Sequence, residues 1–177
     1  MSPILPYAIL PPVYVEYDAS APDVADRVIE LVGAAAPWAR IDHIGSTAIP
    51  GCAGKGIIDL VALYPDGKMD AMRDTIDALG FQPQRTGHPF PADRPMRVGA
   101  IEHRGQVYRL HMHVVAANSD EAQSLYRFRD VLRADSSLRD AYQAKKCAIL
   151  QSGVNSSNDY TQAKGDFIGA VLSRSLR

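Results

Sequence analysis

Ile41-Asp42-His43-Ile44-Gly45-Ser46-Thr47-Ala48-Ile49-Pro50-Gly51, followed shortly by Lys55-Gly56-Ile57-Ile58-Asp59-Leu60-Val61-Ala62-Leu63, is the stretch whose pattern decides the fold. Ala39 to Ile44 is short and largely apolar, so it reads as a strand, and it runs directly into small residues from Gly45 to Gly56 that favour turning. Ile57 to Leu63 is apolar at successive positions except for one acid, the mark of a strand buried on both faces. Together these pieces expose backbone N–H groups and the Ser46 and Thr47 hydroxyls above a strand end. Such a turn can hold phosphate. A plain structural turn, with Ser46 or Thr47 as a helix cap, accounts for the same letters.

On the N-terminal side, Ser20 with Asp23 three residues later and Pro22 in the first turn signal a helix start. Val24, Val28, Leu31 and Val32 continue at helical spacing until Gly33 to Pro37. The lead from Met1 to Val15 is apolar but interrupted by Pro3, Pro6, Pro11 and Pro12, and it lacks the basic start of a secretory signal. On the C-terminal side, Met69, Met72, Ile76 and Leu79 define a second amphipathic helix, with Gly80 at the position of a left-handed cap. Phe81 to Pro95 reads as a loop. Met96 to Ile101 and Gln106 to Ala116 read as antiparallel strands joined around Glu102 to Gly105. The remainder is helical, from Ser119 to about Ala134, Ser136 to about Gln151 and Asn158 to about Arg174, divided by Asp/Ser and Gly/Asn/Ser turns. Strands in the middle with helices at both ends predict an α+β class, a small mixed or antiparallel central sheet flanked by helices, in one domain over residues 1–177.

The composition, 46% apolar and 22% charged, is that of an ordinary globular chain. A formal net charge of -1 lacks the clustered cation excess that capture of duplex nucleic acid requires, yet leaves room for a small anion held by a few local cations. Cys52 and Cys147 show neither metal-ligand spacing nor a disulfide framework, which points to free thiols in a reducing compartment. No stretch approaches membrane-spanning length, so a cytoplasmic location is expected.

Asp59 is the most informative single residue, because a carboxylate among Ile57, Ile58, Leu60 and Val61 is costly to bury without a cation or donors. Its partner is either Arg109, in a structural salt bridge, or a metal or substrate. Tyr108 to Val114 alternates, which sets Arg109, His111 and His113 on one face and Tyr108, Leu110, Met112 and Val114 on the other. Histidines two apart can donate to phosphate, move a proton, bind a transition metal with a neighbouring carboxylate, or simply bond to loop backbone. Lys55 can supply a point charge to phosphate. Arg129, Asp130, Lys145, Tyr160 and Lys164 on the C-terminal helices either line the same cleft or face solvent. Leu125, Phe128, Leu132, Leu138, Tyr142, Phe167, Ile168 and Val171 are assigned to helix packing.

Ile41 to Gly51, Lys55 to Asp59 and His111-Met112-His113-Val114-Val115, in that order, resemble the hallmarks of the GrpB family. Phe128-Arg129-Asp130, Leu132-Arg133, Tyr142 to Lys145, Tyr160 and Ala163-Lys164 extend the resemblance over nearly the whole chain. It implies a polymerase-β-like nucleotidyltransferase fold, in which a Gly-Ser turn lies against the triphosphate and acids on the next strand hold a divalent metal. By that resemblance Gly45 and Ser46 contact phosphate and Asp59 binds the metal. The sequence departs from the pattern at Gly56, where proline is usual, and at Val61, where a second acid is often found. A lone aspartate then needs another ligand, and His111 or His113 in that role favours Mn²⁺ or Zn²⁺ over Mg²⁺.

The expected activity is metal-dependent nucleotidyl transfer from a nucleoside triphosphate to a small-molecule acceptor, without duplex nucleic acid or membrane as partner. Ser46, Thr47 and Lys55 would cradle phosphate, with Arg129, Lys145 and Lys164 beside the nucleotide. Arg109 and the histidines would stabilise charge or move a proton. The alternatives are a non-catalytic nucleotide- or metabolite-binding module, and a single-metal hydrolase or transferase built on Asp59, His111 and His113.

Overall fold

In the computed structural model, which describes residues 2–85, 90–153 and 157–174, the deciding stretch folds as two antiparallel strands joined through a tight turn. β1 spans Arg40–Ile44 and β2 spans Ile57–Tyr64, with Ile44 opposite Asp59. A single 3-10 turn, Ser46–Ala48, follows β1. β3 (Gln82–Pro83), β4 (Met96–His103) and β5 (Gln106–Ala116) complete a five-stranded mixed sheet of order β1-β2-β5-β4-β3. β2 and β5 are parallel, and the remaining pairs are antiparallel.

The period-two alternation of the strands divides the sheet into faces of different chemistry. One face, carrying Ile58, Leu60 and Ala62 of β2 and Leu110, Met112 and Val114 of β5, packs on α1 (Ala21–Ala35) and α2 (Met69–Ala78) through Val24, Val28, Val32, Met72 and Ile76. The opposite face carries Val61, Leu63 and Val115, which pack with Ile44 against Ala122 of α3 (Asp120–Ala134). The remainder of that face is polar, with Asp59, Arg109, His111 and His113 at the end where β1 leaves the sheet. α4 (Ser136–Gln151) and α5 (Ser157–Arg174) close over the turn after β1, where Tyr142 packs with Ile49, Cys52, Leu132, Phe128 and Phe167.

Local chemistry fixes most element ends. Gly80 has φ +105, and the N–H groups of Gly80 and Phe81 donate to the carbonyls of Asp77 and Ile76, a Schellman closure of α2. Ser119 Oγ accepts from the Ala122 N–H at the start of α3, and Asp135 plays the same part for Leu138 in α4. Ser20 differs from its expected role: its side chain caps nothing, and its own N–H donates to Asp18 Oδ1 at 2.8 Å. β3 lies inside the stretch read as a loop, where Pro83 is tolerated because the strand is at the sheet edge. Residues 86–89 of that loop and 154–156 of the turn before α5 lie outside the described residues. The N-terminal lead forms a strap, with Leu5 bridged to Ala100 and Val15 bridged to Gly54. Among the described residues no helix is long and apolar enough to cross a membrane.

Candidate functional site

Gly45 and Asp59 make the floor of the site. Gly45 has φ +71, and a Cβ built there would lie 2.5 Å from Asp59 Oδ2, so only glycine lets the chain turn directly over the carboxylate. On the other side of β2, the parallel register sets Asp59 beside His111 and Val61 beside His113. Asp59 Oδ1 lies 3.2 Å from His111 Nδ1 and 3.9 Å from His113 Nε2. Burial raises the pKa of the Asp59 carboxyl, but the neighbouring N–H groups and charge of His111 and His113 outweigh it and hold the group well below the usual carboxylate range. The partner that the apolar strand demanded is therefore the histidine pair, with His111 the nearer. Arg109 instead donates Nη2 to the Lys55 carbonyl at 3.2 Å.

This arrangement does not fit a resident metal centre made by Asp59, His111 and His113. Nδ1 of His111 is directed at Asp59 and its Nε2 meets Tyr7 Oη at 3.2 Å, so both ring nitrogens are engaged. Among the described residues no group of His, Cys, Asp or Glu gathers in a form that would hold an ion. Val61 also has a structural cause: it is fully buried against Leu63 and Ala122, where a second carboxylate would be desolvated under α3.

Cations gather above the turn. Lys146 lies on the buried stripe Tyr142, Lys146 and Ile149 of α4. Its Nζ donates to Ser46 Oγ at 2.9 Å and to the Ala53 carbonyl, 3.4 Å from Cys52 Sγ and 4.4 Å from the Tyr142 ring centre. Lys55 and Lys164 each place Nζ 4.5 Å from the centre of the Tyr160 ring. Burial lowers the pKa of the Lys55 and Lys146 ammonium groups. Burial and then the charge of Lys55 take Lys164 down to about 8, against the pull of Asp59 and with Lys146 adding repulsion. None of these lysines has a carboxylate within ion-pair distance among the described residues.

Other expected site residues have structural duties. Thr47 is buried, with Oγ1 2.9 Å from His43 Nε2 and donating to the Ile57 carbonyl at 3.3 Å, so its hydroxyl is committed to the framework. Arg129 donates to the His43 carbonyl at 3.0 Å and braces the end of β1. Lys145 is exposed on α4, one position away from the lysine that enters the site. Lys146 and Tyr7 were not read from the sequence, and Arg133, which donates to the Ala48 carbonyl at 2.8 Å, was read only within the family resemblance. For Lys146 a signal existed, since it shares the helical stripe of Tyr142. A cavity of about 420 Å³ adjoins the turn, walled by Thr47, Gly54, Lys55 and Arg109 beneath Val13 and Val15 of the strap.

Residues 11–174 match the family model described as GrpB protein. The chain belongs to the GrpB family. A UPF0157 protein of Streptomyces coelicolor is 32% identical over 148 residues, covering 84% of this chain and 73% of the relative. Another from Halalkalibacterium halodurans is 28% identical across 90% of this chain and 80% of the relative. The crystal structure of GrpB from Enterococcus faecalis superposes with a TM-score of 0.74 at 21% identity, over 93% of this chain and 97% of that one. Cid1 poly(U) polymerase bound to MgATP superposes with a TM-score of 0.55 at 15% identity, over 84% of this chain and 50% of that one. This GrpB chain therefore has the polymerase-β-like nucleotidyltransferase fold.

Proposed function

We propose that this GrpB protein binds a nucleoside triphosphate and transfers its nucleotidyl group to a small-molecule acceptor. The observation that carries the reading is the gathering of Lys55, Lys146 and Lys164 around the Gly45-Ser46 turn, with Asp59 under the same turn. Desolvated ammonium groups with no carboxylate at ion-pair distance among the described residues suit the charges of a triphosphate and the pyrophosphate it releases. Mg²⁺ or Mn²⁺ enters as part of the nucleotide substrate, with the Asp59 carboxylate as its protein ligand while phosphate oxygens supply the others.

A second reading, a nucleotide-binding module without turnover, is favoured by the burial of Val61 where a second acid would stand. Thermal-shift titration with each nucleoside triphosphate, with and without Mg²⁺ or Mn²⁺, is the first test, because a ligand that binds only the folded state raises its stability by mass action. A nucleotide-selective rise followed by pyrophosphate release supports transfer. A rise without turnover under any acceptor selects the binding module. No response to any nucleotide rejects both.

A further inference from the structure

The Tyr7 hydroxyl occupies the position on His111 that an acceptor hydroxyl would need. His111 Nδ1 lies 3.2 Å from Asp59 Oδ1, and with its proton on that side Nε2 is the basic nitrogen, 3.2 Å from Tyr7 Oη. Phenol, imidazole and carboxylate thus stand in line, the order in which a histidine activates a hydroxyl nucleophile and a carboxylate supports the imidazolium that forms. Tyr7 is held there by construction. The strap carrying it is pinned to β4 through the backbone pair of Leu5 and Ala100 and to the loop before β2 through that of Val15 and Gly54, and the Tyr7 N–H donates to Gln82 Oε1 at 3.3 Å. The Tyr7 and His111 rings also lie 5.7 Å apart, centre to centre. Burial raises the phenol pKa, while the Arg109 guanidinium works against it. Tyr7 lies outside the span 11–174 that the family model matches.

We propose that Tyr7 is itself a nucleotidyl acceptor, so that the protein carries a covalent tyrosyl-nucleotide as an intermediate or as a self-modification. The inference rests on the nucleotidyl-transfer reading. In the step, the Tyr7 Oη–H proton passes to His111 Nε2 and the phenolate oxygen forms a bond to the α-phosphorus. The bond from that phosphorus to the bridging oxygen breaks, and pyrophosphate leaves with the electron pair toward Lys55, Lys146 and Lys164. No oxidant or further reactant is required.

The full-length protein is incubated with each nucleoside triphosphate and Mg²⁺ or Mn²⁺ without any acceptor, then examined by intact mass, peptide mapping and a pyrophosphate assay. The expected result is a mass increase of one nucleoside monophosphate located on Tyr7, with matching pyrophosphate release. It is lost in Tyr7→Phe, kept in Tyr14→Phe, and accompanied by an unchanged melting temperature in both variants. Transfer to an added small acceptor with no adduct on Tyr7, and with Tyr7→Phe as active as the parent, overturns the inference while leaving the nucleotidyl-transfer reading intact. An adduct mapped to another residue overturns it as well. Absence of any nucleotide-induced thermal shift and of any pyrophosphate removes both together.

Discussion

At Gly45 a backbone requirement and a chemical one coincide, since φ is +71 and the missing Cβ is what admits the Asp59 carboxylate. Gly45→Ala is expected to lower stability in urea denaturation by about 1–3 kcal/mol, the usual range for a residue forced into a glycine-only region, and to displace Asp59 from the turn. Lys146 and Lys145 are adjacent, yet one is buried against Ser46 and the other is exposed. Lys146→Ala should weaken nucleotide binding at least about tenfold, equivalent to about 1.4 kcal/mol, as read by calorimetric titration. Lys145→Ala should leave it within about twofold, as befits a solvated charge. Equal effects of the two substitutions would remove the lysine cluster from the nucleotide site.

At the scale of elements, boundaries follow side-chain chemistry only where the observed hydrogen bond exists. Ser119 caps α3 through the Ala122 N–H, so Ser119→Ala should cost about 1 kcal/mol of stability. Ser20 stands at the start of α1 with the same letter but makes no cap bond, because Asp18 already accepts from its backbone N–H. Ser20→Ala is expected to change the urea midpoint little, and the pair of variants measured side by side separates true capping from sequence resemblance to it. The same contrast explains why α2 was legible to its last residue: Gly80 is a turn signal whose function is local. β3 was not, because a two-residue edge strand is created by its partner Arg97–Val98 and has no period of its own.

For the whole molecule, the packing that assembles the site also sets its response to acid. Burial lowers the His43 pKa to about 4 from 6.5, against the pull of Asp59 and with Arg133 and Arg129 adding to the lowering. The unfolded chain therefore binds more protons than the folded one between those values, so stability rises with pH through that window and is lost as pH falls through it. The loss should reach no more than about 3 kcal/mol between pH 7 and 4, and His43→Gln should flatten that part of a urea-midpoint profile. Asp59, whose folded pKa is depressed, adds a further loss as pH falls below the unfolded carboxyl range. The sequence by itself determined the helices, the strand pair around Gly45, and the shared face of Arg109, His111 and His113, because helical spacing, period-two alternation and glycine turns are properties of neighbouring residues. Only the tertiary structure decided that Asp59 meets His111 instead of Arg109, that Lys146 enters the site in place of Lys145, and that Tyr7 closes on His111. Those contacts depend on the parallel register of β2 with β5, the rotation of α4 against the turn and the path of the strap, which are set by long-range packing and leave no mark at any single position.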